Sequence, residues 1–549
     1  MVNKKTLFVI FFAIIILSAV LRLWQLGSIP PSPDWDEAAL GYDGYSIMHT
    51  GRDEFGKFLP VVLRSFDDYK PALYAYLTIP PIAIFGLNVF AVRLPSAIFG
   101  IISIIAVFFL GRELFEDNKY RDYLSLSASF FLAISPWSIQ FSRVAFEAST
   151  GDVLNLLAAL FFIKGLKKPW ILFLSALFAG LSIYVYQSEK VFTPLLVLIL
   201  VAIYRKKLFS INKKYIISVV IFGFLVVLPM AFYIVDNRVA LLRVTGTSIF
   251  SNQTVLLQND IPKLARDNAN HDKIGAFVDN RRFVYFFDIV SGYVTHFDPN
   301  WLFVTGDISR HHAPNMGLLY LFEFPLILLG FYFLIFSDFK KSTKLLIFCW
   351  MLAAPIPASI TSGVPHAVRT LNFLPTFQIF SAIGFVYLLI AINKYKKFQI
   401  LIYLFAIFIF LINFTYYLDQ YFVQLNYYDS QDWQYGYQQA VSEVTSIQNN
   451  YKQVVISDSN PLDKSYMFFL FYLKYPSSEY QKIAENGSGS FISHHSFGKY
   501  TFRPIDWQKD SKVKNVLYVG SPAEIPKGIG TIKTIYFLDG NPAIEIVGT

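Results

Sequence analysis

Residues 4–26 read KKTLFVIFFAIIILSAVLRLWQL, two lysines followed by a long apolar run. The hydrocarbon core of a bilayer is roughly 30 Å thick, and a helix of about 20 residues crosses it. The run lacks a small-x-small cleavage site, and further apolar runs follow it. We therefore interpret it as an uncleaved membrane anchor and not as a signal peptide.

Similar runs recur as far as about residue 417. The chain is 54% hydrophobic and only 15% charged, whereas a soluble domain carries about 25% charged residues. The sequence thus predicts a polytopic α-helical membrane protein of about eleven transmembrane helices. The predicted spans are 6–26, 93–111, 122–137, 150–166, 169–186, 190–204, 215–235, 317–337, 344–361, 371–393 and 397–417.

Short basic clusters alternate with these spans and predict the orientation. They lie at 4–5, 112–121, 164–168, 205–214, 340–344 and 394–397. All six fall on one side, which the positive-inside rule places in the cytoplasm together with the N-terminus. Topology thus accounts for the net charge of +9. No basic face with interleaved aromatic residues is present, which argues against nucleic-acid binding.

The remaining loops and the tail after about residue 418 are predicted to face outward. The loops are 27–92, 138–149, 187–189, 236–316 and 362–370. Within the first of them, residues 72–88 are apolar but contain Pro80 and Pro81. Proline interrupts a helix, so we expect an interfacial or re-entrant segment here. If the segment spanned the membrane, the later basic clusters would change sides.

The sequence divides into a transmembrane domain, residues 1–417, and a tail, residues 418–549. The tail predicts a small extracytoplasmic α/β domain. Its helix is expected at 432–449, and alternating apolar residues predict strands at 453–457, 515–519, 535–538 and 544–547. The last two strands are predicted to form a closing hairpin.

The outward loops carry the residues suited to chemistry. Asp36 and Glu37 follow the first span, where either carboxylate is a candidate general base for an acceptor hydroxyl. They equally suit the first turn of a helix. Lys70 adjoins the apolar 72–88 segment and offers a point charge to a phosphate. The acidic residues of 51–56 are interpreted as a solvated turn. Arg143 and Glu147 form a local ion pair or lie beside Asp36, where Arg143 is a further candidate contact for the donor phosphate.

A second set lies in the later loops. Arg310, His311 and His312 adjoin one another and suit phosphate binding through charge-assisted hydrogen bonds. An exposed polar turn is the plainer interpretation, and a divalent metal held by Asp307, His311 and His312 is a third. The loop at 362–370 adds His366 and Arg369 as phosphate contacts. Cys349 is the single cysteine, so neither a disulfide within the chain nor a cysteine-based zinc site is expected.

Several signatures are missing from the sequence. It contains no Walker-type phosphate loop, no Rossmann glycine fingerprint and no His-Glu-x-x-His motif. The spans also lack conspicuous charges of the kind that a proton-coupled transporter needs. Because the candidate site faces outward, a cytoplasmic nucleotide sugar is not the expected donor. A donor on a lipid carrier reaches the outer leaflet and fits better.

Four stretches between residues 36 and 96 carry a family resemblance. Asp36-Glu37-Ala38, Gly51-Arg-Asp-Glu-Phe-Gly56, Lys70-Pro71 and Phe90-Ala-Val-Arg-Leu-Pro-Ser96 resemble the bacterial branch of glycosyltransferase family 39. That branch includes protein O-mannosyltransferase-like and lipid A aminoarabinose transferase-like enzymes of the GT-C fold. Residues 301–311 and 365–369 are similar to this group as well. The resemblance covers residues 1 to about 417, and its specific part is 33–96.

The resemblance implies a polyprenyl-phosphate monosaccharide donor and inverting transfer to a hydroxyl or phosphate, without a catalytic metal. The acceptor stays open between a protein, a lipid and a cell-surface glycan of the cell envelope. It implies Asp36 as the leading catalytic carboxylate, with Glu147 less securely matched, and Lys70 as the donor-phosphate contact. We expect Asp36, Lys70, Glu147 and Arg369 to share one external pocket at the plasma membrane surface. Alternatives are an oligosaccharyltransferase with a diphosphate donor and a metal, a lipid-linked-sugar flippase, and a non-catalytic sensor.

Overall fold

The structure is a computed structural model that describes residues 3–66, 68–237, 248–250, 257–394, 396–484, 495–526 and 528–549. Helices dominate up to residue 428. Their bounds are Lys4–Leu23, Trp35–Thr50, Leu73–Phe85, Val89–Leu114, Arg121–Ile134, Pro136–Ser142, Ala148–Gly165, Leu172–Ser182, Glu189–Leu208, Lys213–Asp236, Asp260–Ala269, Lys273–Val278, Arg281–Thr295, Glu323–Phe336, Lys341–Ala353, Ile356–Ser359, Thr376–Ile392, Gln399–Asp419 and Leu425–Tyr428. Four further helices, Tyr437–Ile447, Ser465–Leu473, Ser477–Ala484 and Trp507–Asp510, lie in the tail.

The chain is a polytopic helical membrane protein. Among the described residues, seven helices are long and apolar enough to cross a bilayer, or eight if Arg121–Ile134 and Pro136–Ser142, which meet at 58°, form one bent span. Two further predicted spans coincide with shorter apolar helices, Pro169–Ser182 and Glu323–Phe336. The predicted span 190–204 lies within the helix Glu189–Leu208. Each of the eleven predicted spans therefore overlaps a helix, and the full count remains a prediction.

The chain forms two compact units. Unit 1 comprises Met1–Ser18, Gly100–Ile139 and Ala148–Asn413. Its helices Glu323–Phe336 and Thr376–Ile392 approach each other closely. A Cβ on Gly330 or Gly384 would overlap the backbone of the facing helix, so glycine at these positions permits the approach. Small residues at such crossings are typical of membrane helix packing, since close backbone approach replaces the missing hydrophobic drive.

Unit 2 comprises Ala19–Phe99, Gln140–Glu147 and Phe414–Thr549. The helix Trp35–Thr50 packs between Leu73–Phe85 and the buried tail helix Ser465–Leu473. A Cβ on Gly41 would lie 2.6 Å from Val92 and 2.8 Å from Phe471, so only glycine permits this approach. The tail and the first predicted outward loop therefore share one hydrophobic core. The predicted boundary at 417 stays a prediction.

The predicted helix break at Pro80 and Pro81 is wrong. The helix Leu73–Phe85 runs through both prolines. Both prolines lie in the last two turns of this helix, and the Thr78 hydroxyl donates to the Ala75 carbonyl, 2.7 Å away, just before them. At 1.5 Å per residue these 13 residues extend about 20 Å, which is shorter than the roughly 30 Å hydrocarbon core.

Two sheets are present in the described residues. A hairpin joins β1 (Val62–Ser65) to β2 (Asp68–Pro71) and pairs Leu63 with Lys70. The tail holds a six-stranded mixed sheet of order β4-β5-β3-β6-β8-β7. Its strands are β3 (Gln453–Ile456), β4 (His495–Phe497), β5 (Tyr500–Phe502), β6 (Val516–Gly520), β7 (Lys533–Tyr536) and β8 (Pro542–Gly548).

The tail strands largely match the sequence prediction. The strands β3, β6, β7 and β8 overlap the four predicted strands, and β7 pairs antiparallel with β8 as the predicted closing hairpin. The neighbours β5, β3 and β6 run parallel. The sequence analysis missed β4 and β5, which are only three residues long. The predicted helix 432–449 is confirmed over Tyr437–Ile447.

Candidate active site

Asp36 and Lys70 form an ion pair in unit 2. Asp34 caps the helix Trp35–Thr50 in a capping box with Glu37, which places Asp36 in the first turn. Lys70 lies on β2, and its side chain is only 7% exposed, whereas that of Asp36 is 32% exposed. The pair therefore presents a partly accessible carboxylate beside a buried ammonium. A buried lysine retains its charge only with such a partner.

Glu37 has a different environment from its neighbour. Its carboxylate is fully buried and accepts two hydrogen bonds from Arg93, each 2.8 Å long. It also accepts from the backbone N–H of Ala145 at 2.7 Å and of Asp34 at 3.2 Å. A carboxylate with four donors is held in place and is already fully hydrogen-bonded. The arrangement suits positioning better than proton transfer.

Arg93 and Arg143 fix the segment that follows the first helix. Arg93 donates to the carbonyls of Leu26, Pro30 and Ser32 at 2.7–3.2 Å. Arg143 is fully buried and donates to carbonyls at 21, 24 and 29 at 2.7–3.0 Å. These bonds satisfy carbonyls that have no helical partner. The hydrogen bonds of Arg143 thus go to backbone, and its predicted contact with phosphate stays a prediction.

A cluster of three carboxyl groups lies beneath this region. Asp43 accepts from the Glu54 backbone N–H at 3.0 Å, and Asp53 accepts from those of Phe55 and Lys57 at 3.1 and 2.8 Å. All three are at most 2% exposed. Neither carboxylate oxygen of Glu54 has a hydrogen-bond partner in the described part of the chain. The interpretation of this stretch as a solvated turn is therefore wrong.

Burial dominates the ionisation of this cluster. It raises the pKa of Asp53 to about 6, against the lowering effect of the hydrogen bonds from Lys57 and Phe55. Burial and the neighbouring carboxylates raise the pKa values of Asp43 and Glu54 well above the usual range. The Lys70 ammonium opposes the shift at Asp43. Burial therefore favours the protonated form of each of these carboxyl groups, and Asp43 lies within electrostatic range of Lys70.

Glu147 is also part of unit 2, immediately before the helix Ala148–Gly165. Its side chain is buried, 6% exposed. Both Glu147 and Glu37 act electrostatically on the Tyr74 hydroxyl. Asp36, Lys70 and Glu147 thus belong to one compact unit, whereas Arg369 belongs to the other. The predicted shared pocket of all four residues stays a prediction.

Unit 1 contains a histidine cluster. Asp307 and His311 form a hydrogen bond of 2.9 Å, and the same Asp307 oxygen accepts from the Ala367 N–H at 2.6 Å. The rings of His311 and His366 lie 5.1 Å apart. His296 accepts from the His366 N–H at 3.1 Å. The structure thus joins the predicted loop residues at 307–311 to the predicted His366.

The histidines of this cluster are neutral. Burial lowers the pKa of His296 to about 4, and burial together with the Arg369 charge lowers that of His366 to about 2. Burial lowers the pKa of His311 as well. Although burial alone would raise the pKa of Asp307, hydrogen bonds from His311 and Ala367 hold it at about 2. An ionised carboxylate therefore faces uncharged imidazoles.

The other predicted phosphate contacts of unit 1 are Arg369, Arg310 and His312, and each has its own local environment. Arg369 donates to the Thr361 hydroxyl at 2.6 Å and to the Ser362 carbonyl at 2.7 Å. Arg310 is half-buried in the short turn Ser309–His311. Both ring nitrogens of His312 face backbone carbonyls, those of Ala313 and Asp307. His312 therefore has no free ring nitrogen, unlike the arrangement that the sequence suggested for a metal.

The sequence analysis missed two polar features. The first is Lys464 of the tail, whose ammonium lies 4.4 Å from the centre of the Trp35 ring and 5.3 Å from that of Phe66. The second is a buried network in which Asn155 and Asn372 donate to Glu189. The expected lack of charges in the spans is also wrong for Asp152 and Glu323, which are buried in apolar helices.

The chain is similar to known proteins in a family model and in solved structures. A family model described as dolichyl-phosphate-mannose-protein mannosyltransferase matches residues 69–233. The resemblance to family 39 glycosyltransferases is confirmed. No curated protein sequence matches the chain. The matched segment of this membrane glycosyltransferase contains Lys70, Arg93, Arg143 and Glu147, while Asp36 lies before it.

The fold of the glycosyltransferase is that of ArnT. The crystal structure of ArnT from Cupriavidus metallidurans in the apo state is 12% identical with a TM-score of 0.54, and the likeness covers 99% of this chain and 98% of that one. The same values apply to ArnT bound to undecaprenyl phosphate. The archaeal oligosaccharyltransferase AglB from Archaeoglobus fulgidus is 12% identical with a TM-score of 0.49, covering 94% of this chain and 69% of that one. This last likeness is too weak to bear on function.

Proposed function

We propose that this glycosyltransferase moves a monosaccharide from a polyprenyl-phosphate carrier to an extracytoplasmic hydroxyl. The single observation that carries the proposal is the Asp36–Lys70 ion pair, a partly accessible base beside a buried cation. ArnT, of the same fold, binds undecaprenyl phosphate, which supports a donor of this class. The acceptor is a protein hydroxyl, a lipid or a cell-surface glycan, and membrane lipids surround the chain.

The proposed orientation follows from the basic clusters. With about eleven spans in the plasma membrane, the N-terminus is cytoplasmic, and the Asp36 site and the tail are extracytoplasmic. A polyprenyl-phosphate donor places its sugar at the membrane surface on that side. The unit that contains Asp36 also contains the mixed sheet of the tail. This supports a role of the tail in holding the acceptor.

The proposed chemistry is one displacement with inversion at the anomeric carbon. The acceptor oxygen attacks that carbon as the bond to the phosphate oxygen breaks, and polyprenyl phosphate leaves with the bonding electron pair. Asp36 takes the acceptor proton as a general base. Catalysis of this kind raises the reaction rate about 10²–10⁴-fold. Lys70 stabilises the charge that develops on the phosphate. When the donor phosphate binds Lys70, the Asp36 carboxylate is released towards the acceptor.

The remaining predicted residues have proposed supporting roles. Glu37, with its four donors, positions the first turn that carries Asp36. Arg143 orders the segment before that helix through its bonds to backbone carbonyls. Glu147 is the second candidate for the base. Roles of Arg369, Arg310, His366 and His311 at the donor phosphate stay predictions, because these residues belong to unit 1.

The test is a transfer assay with the purified full-length protein. Several polyprenyl-phosphate sugars are incubated with peptide, lipid and glycan acceptors, and the products are identified by mass spectrometry. The proposal expects release of polyprenyl monophosphate together with a glycosylated acceptor that carries one sugar with inverted configuration. Transfer of a whole oligosaccharide with release of a diphosphate would contradict it. With the protein in proteoliposomes, movement of unchanged lipid-linked sugar between leaflets without any transfer would contradict it as well.

A further inference from the structure

Two loops of unit 1 bring three metal-binding side chains together. Asp307 and His311 lie in the segment that follows the π-helical turn Trp301–Thr305. His366 comes from the segment after the helix Ile356–Ser359. One ligand atom from each of the three residues lies within 4.8 Å of the other two. The chain is therefore folded back so that distant residues converge on one point.

The side chains of this cluster are sheltered from solvent. His311 is 6% exposed, and the Asp307 side chain is 9% exposed. The Nδ1 atom of His366 is buried and has no hydrogen-bond partner in the part of the chain that the structure describes. A buried polar atom without a partner destabilises the fold. A ligand that accepts its lone pair would remove this cost.

The surrounding bonds hold the ligands in place. The Ala367 N–H donates to Asp307, and the neighbouring His366 N–H donates to His296. His296 is itself bonded through Nδ1 to the Gly292 carbonyl at 2.6 Å. Such outer contacts orient the ligands of metal sites. They fix the backbone of the second loop against the helix Arg281–Thr295.

We propose that Asp307, His311 and His366 bind a divalent cation of the zinc class. Two imidazoles and one carboxylate are a zinc ligand set, with ligand distances of about 2.0–2.2 Å and a fourth position left for water. Magnesium and calcium prefer sets made of oxygen alone. The cation ties the loop that contains Asp307 to the loop that contains His366. His311 and His366 then serve the metal and not a phosphate.

The site is independent of the proposed transfer reaction. It requires only the three side chains of unit 1, and its occupancy is measurable without a substrate. The experiment uses the full-length protein in detergent, stripped with a chelator and then dialysed against zinc chloride. Bound zinc is determined by elemental mass spectrometry. The thermal midpoint with and without zinc is a second readout, since a ligand that binds only the folded state raises it.

The expected result is one zinc per chain and a higher thermal midpoint for the wild type. His366→Ala and Asp307→Asn should lose both effects. Asp307→Asn keeps an oxygen that accepts from the Ala367 N–H, so it preserves the fold if His366→Ala does not. His271→Ala, which changes an exposed histidine of the same unit, should behave as the wild type. No zinc on the wild type, or equal zinc on Asp307→Asn, would overturn the proposal.

Discussion

Lys70 is the residue whose surroundings say most about the reaction. It is almost fully buried, yet it faces the Asp36 carboxylate and lies within electrostatic range of Asp43. Its position at the start of an apolar segment was visible in the sequence. Its pairing with Asp36, 34 residues away, was not, because the pairing depends on the β1–β2 hairpin.

We expect Lys70→Gln to lower kcat/KM for the lipid donor roughly ten- to a hundredfold. A charge-assisted hydrogen bond contributes about 1.5–3 kcal/mol, and its loss appears directly in transition-state binding. The measurement is initial-rate kinetics over a range of donor concentrations. Lys57→Gln, an exposed lysine of the same loop, is the matched control and should leave the kinetics unchanged. Equal kinetics for both variants would remove Lys70 from the donor site.

Glu54 governs a second prediction, on pH and stability. Its pKa is raised in the folded state by burial and by Asp43 and Asp53. At Glu54 the folded state therefore holds a proton to a higher pH than the unfolded chain does, and the contribution of this group to stability falls as pH rises. For Asp53 the loss of stability occurs between about pH 4, the usual aspartate pKa, and about pH 6, its pKa in the folded state.

We expect Glu54→Gln to raise the thermal midpoint at pH 7, and we expect this gain over the wild type to grow as the pH rises from 5 to 8. Thermal unfolding of the purified protein across that range measures this. Glu479→Gln, at an exposed position of the same unit, provides the control and should follow the wild type. A midpoint gain of Glu54→Gln over the wild type that does not grow as pH rises would contradict the assigned protonation.

The burial of Asp53 and Glu54 was beyond the sequence analysis. Locally the stretch 51–56 has the composition of a solvated turn. Its burial depends on the tail, because Gln481 donates to the Asp53 carbonyl at 2.9 Å from more than 400 positions away. Local patterns contain no information on such a contact. Acidic residues that look exposed in sequence can thus form the interior of a composite core.

At the scale of elements, the helix Trp35–Thr50 organises unit 2. Its capping box and its acidic first turn were readable from Asp34 to Glu37. What anchors it was only partly readable. Arg93 lies within one of the family motifs in the sequence. Its two hydrogen bonds to Glu37 could be seen only in the folded structure. The turn that carries Asp36 is therefore held from the interior side by a fully buried ion pair.

Arg93→Met should strongly destabilise the protein, by about 3–5 kcal/mol, because it leaves the Glu37 charge buried without its partner. Lys167→Met is the comparison. It removes an exposed lysine that pairs with Glu113 and Glu116, and exposed pairs contribute at most about 1 kcal/mol. Denaturant unfolding of both variants in detergent gives the two values. A loss for Arg93→Met no larger than that for Lys167→Met would contradict the anchoring role.

Secondary structure was predictable to different degrees in the two parts of the chain. Every predicted span overlaps a helix, since long apolar runs in a membrane leave few alternatives. The four strands that were predicted for the tail also coincide with strands of the mixed sheet. The prediction of a helix break at Pro80 and Pro81 was wrong, because the helix Leu73–Phe85 continues through both prolines. The short strands β4 and β5 carry too few residues for an alternation pattern.

At the scale of the whole molecule, sidedness is the assumption behind the function. Cys349 is the single cysteine and lies in the helix Lys341–Ala353, so a cysteine-free Cys349→Ala background suits labelling. We expect Lys57→Cys to react with a membrane-impermeant maleimide on intact cells, and Lys206→Cys to react only after lysis. Both lysines are exposed. The opposite pattern would place the Asp36 site in the cytoplasm and contradict a donor on the outer leaflet.

The most direct test of the account is the release of polyprenyl phosphate by the wild type and by Asp36→Asn. Both proteins are incubated with the active donor and acceptor, and free polyprenyl phosphate is quantified by mass spectrometry. Asp298→Asn, at an exposed position, is the matched control. We predict that the rate falls by a factor of about 10²–10⁴ for Asp36→Asn alone, because this is the contribution of a general base. The thermal stability of the variant should be retained. Asp36→Asn turning over at the wild-type rate would contradict it.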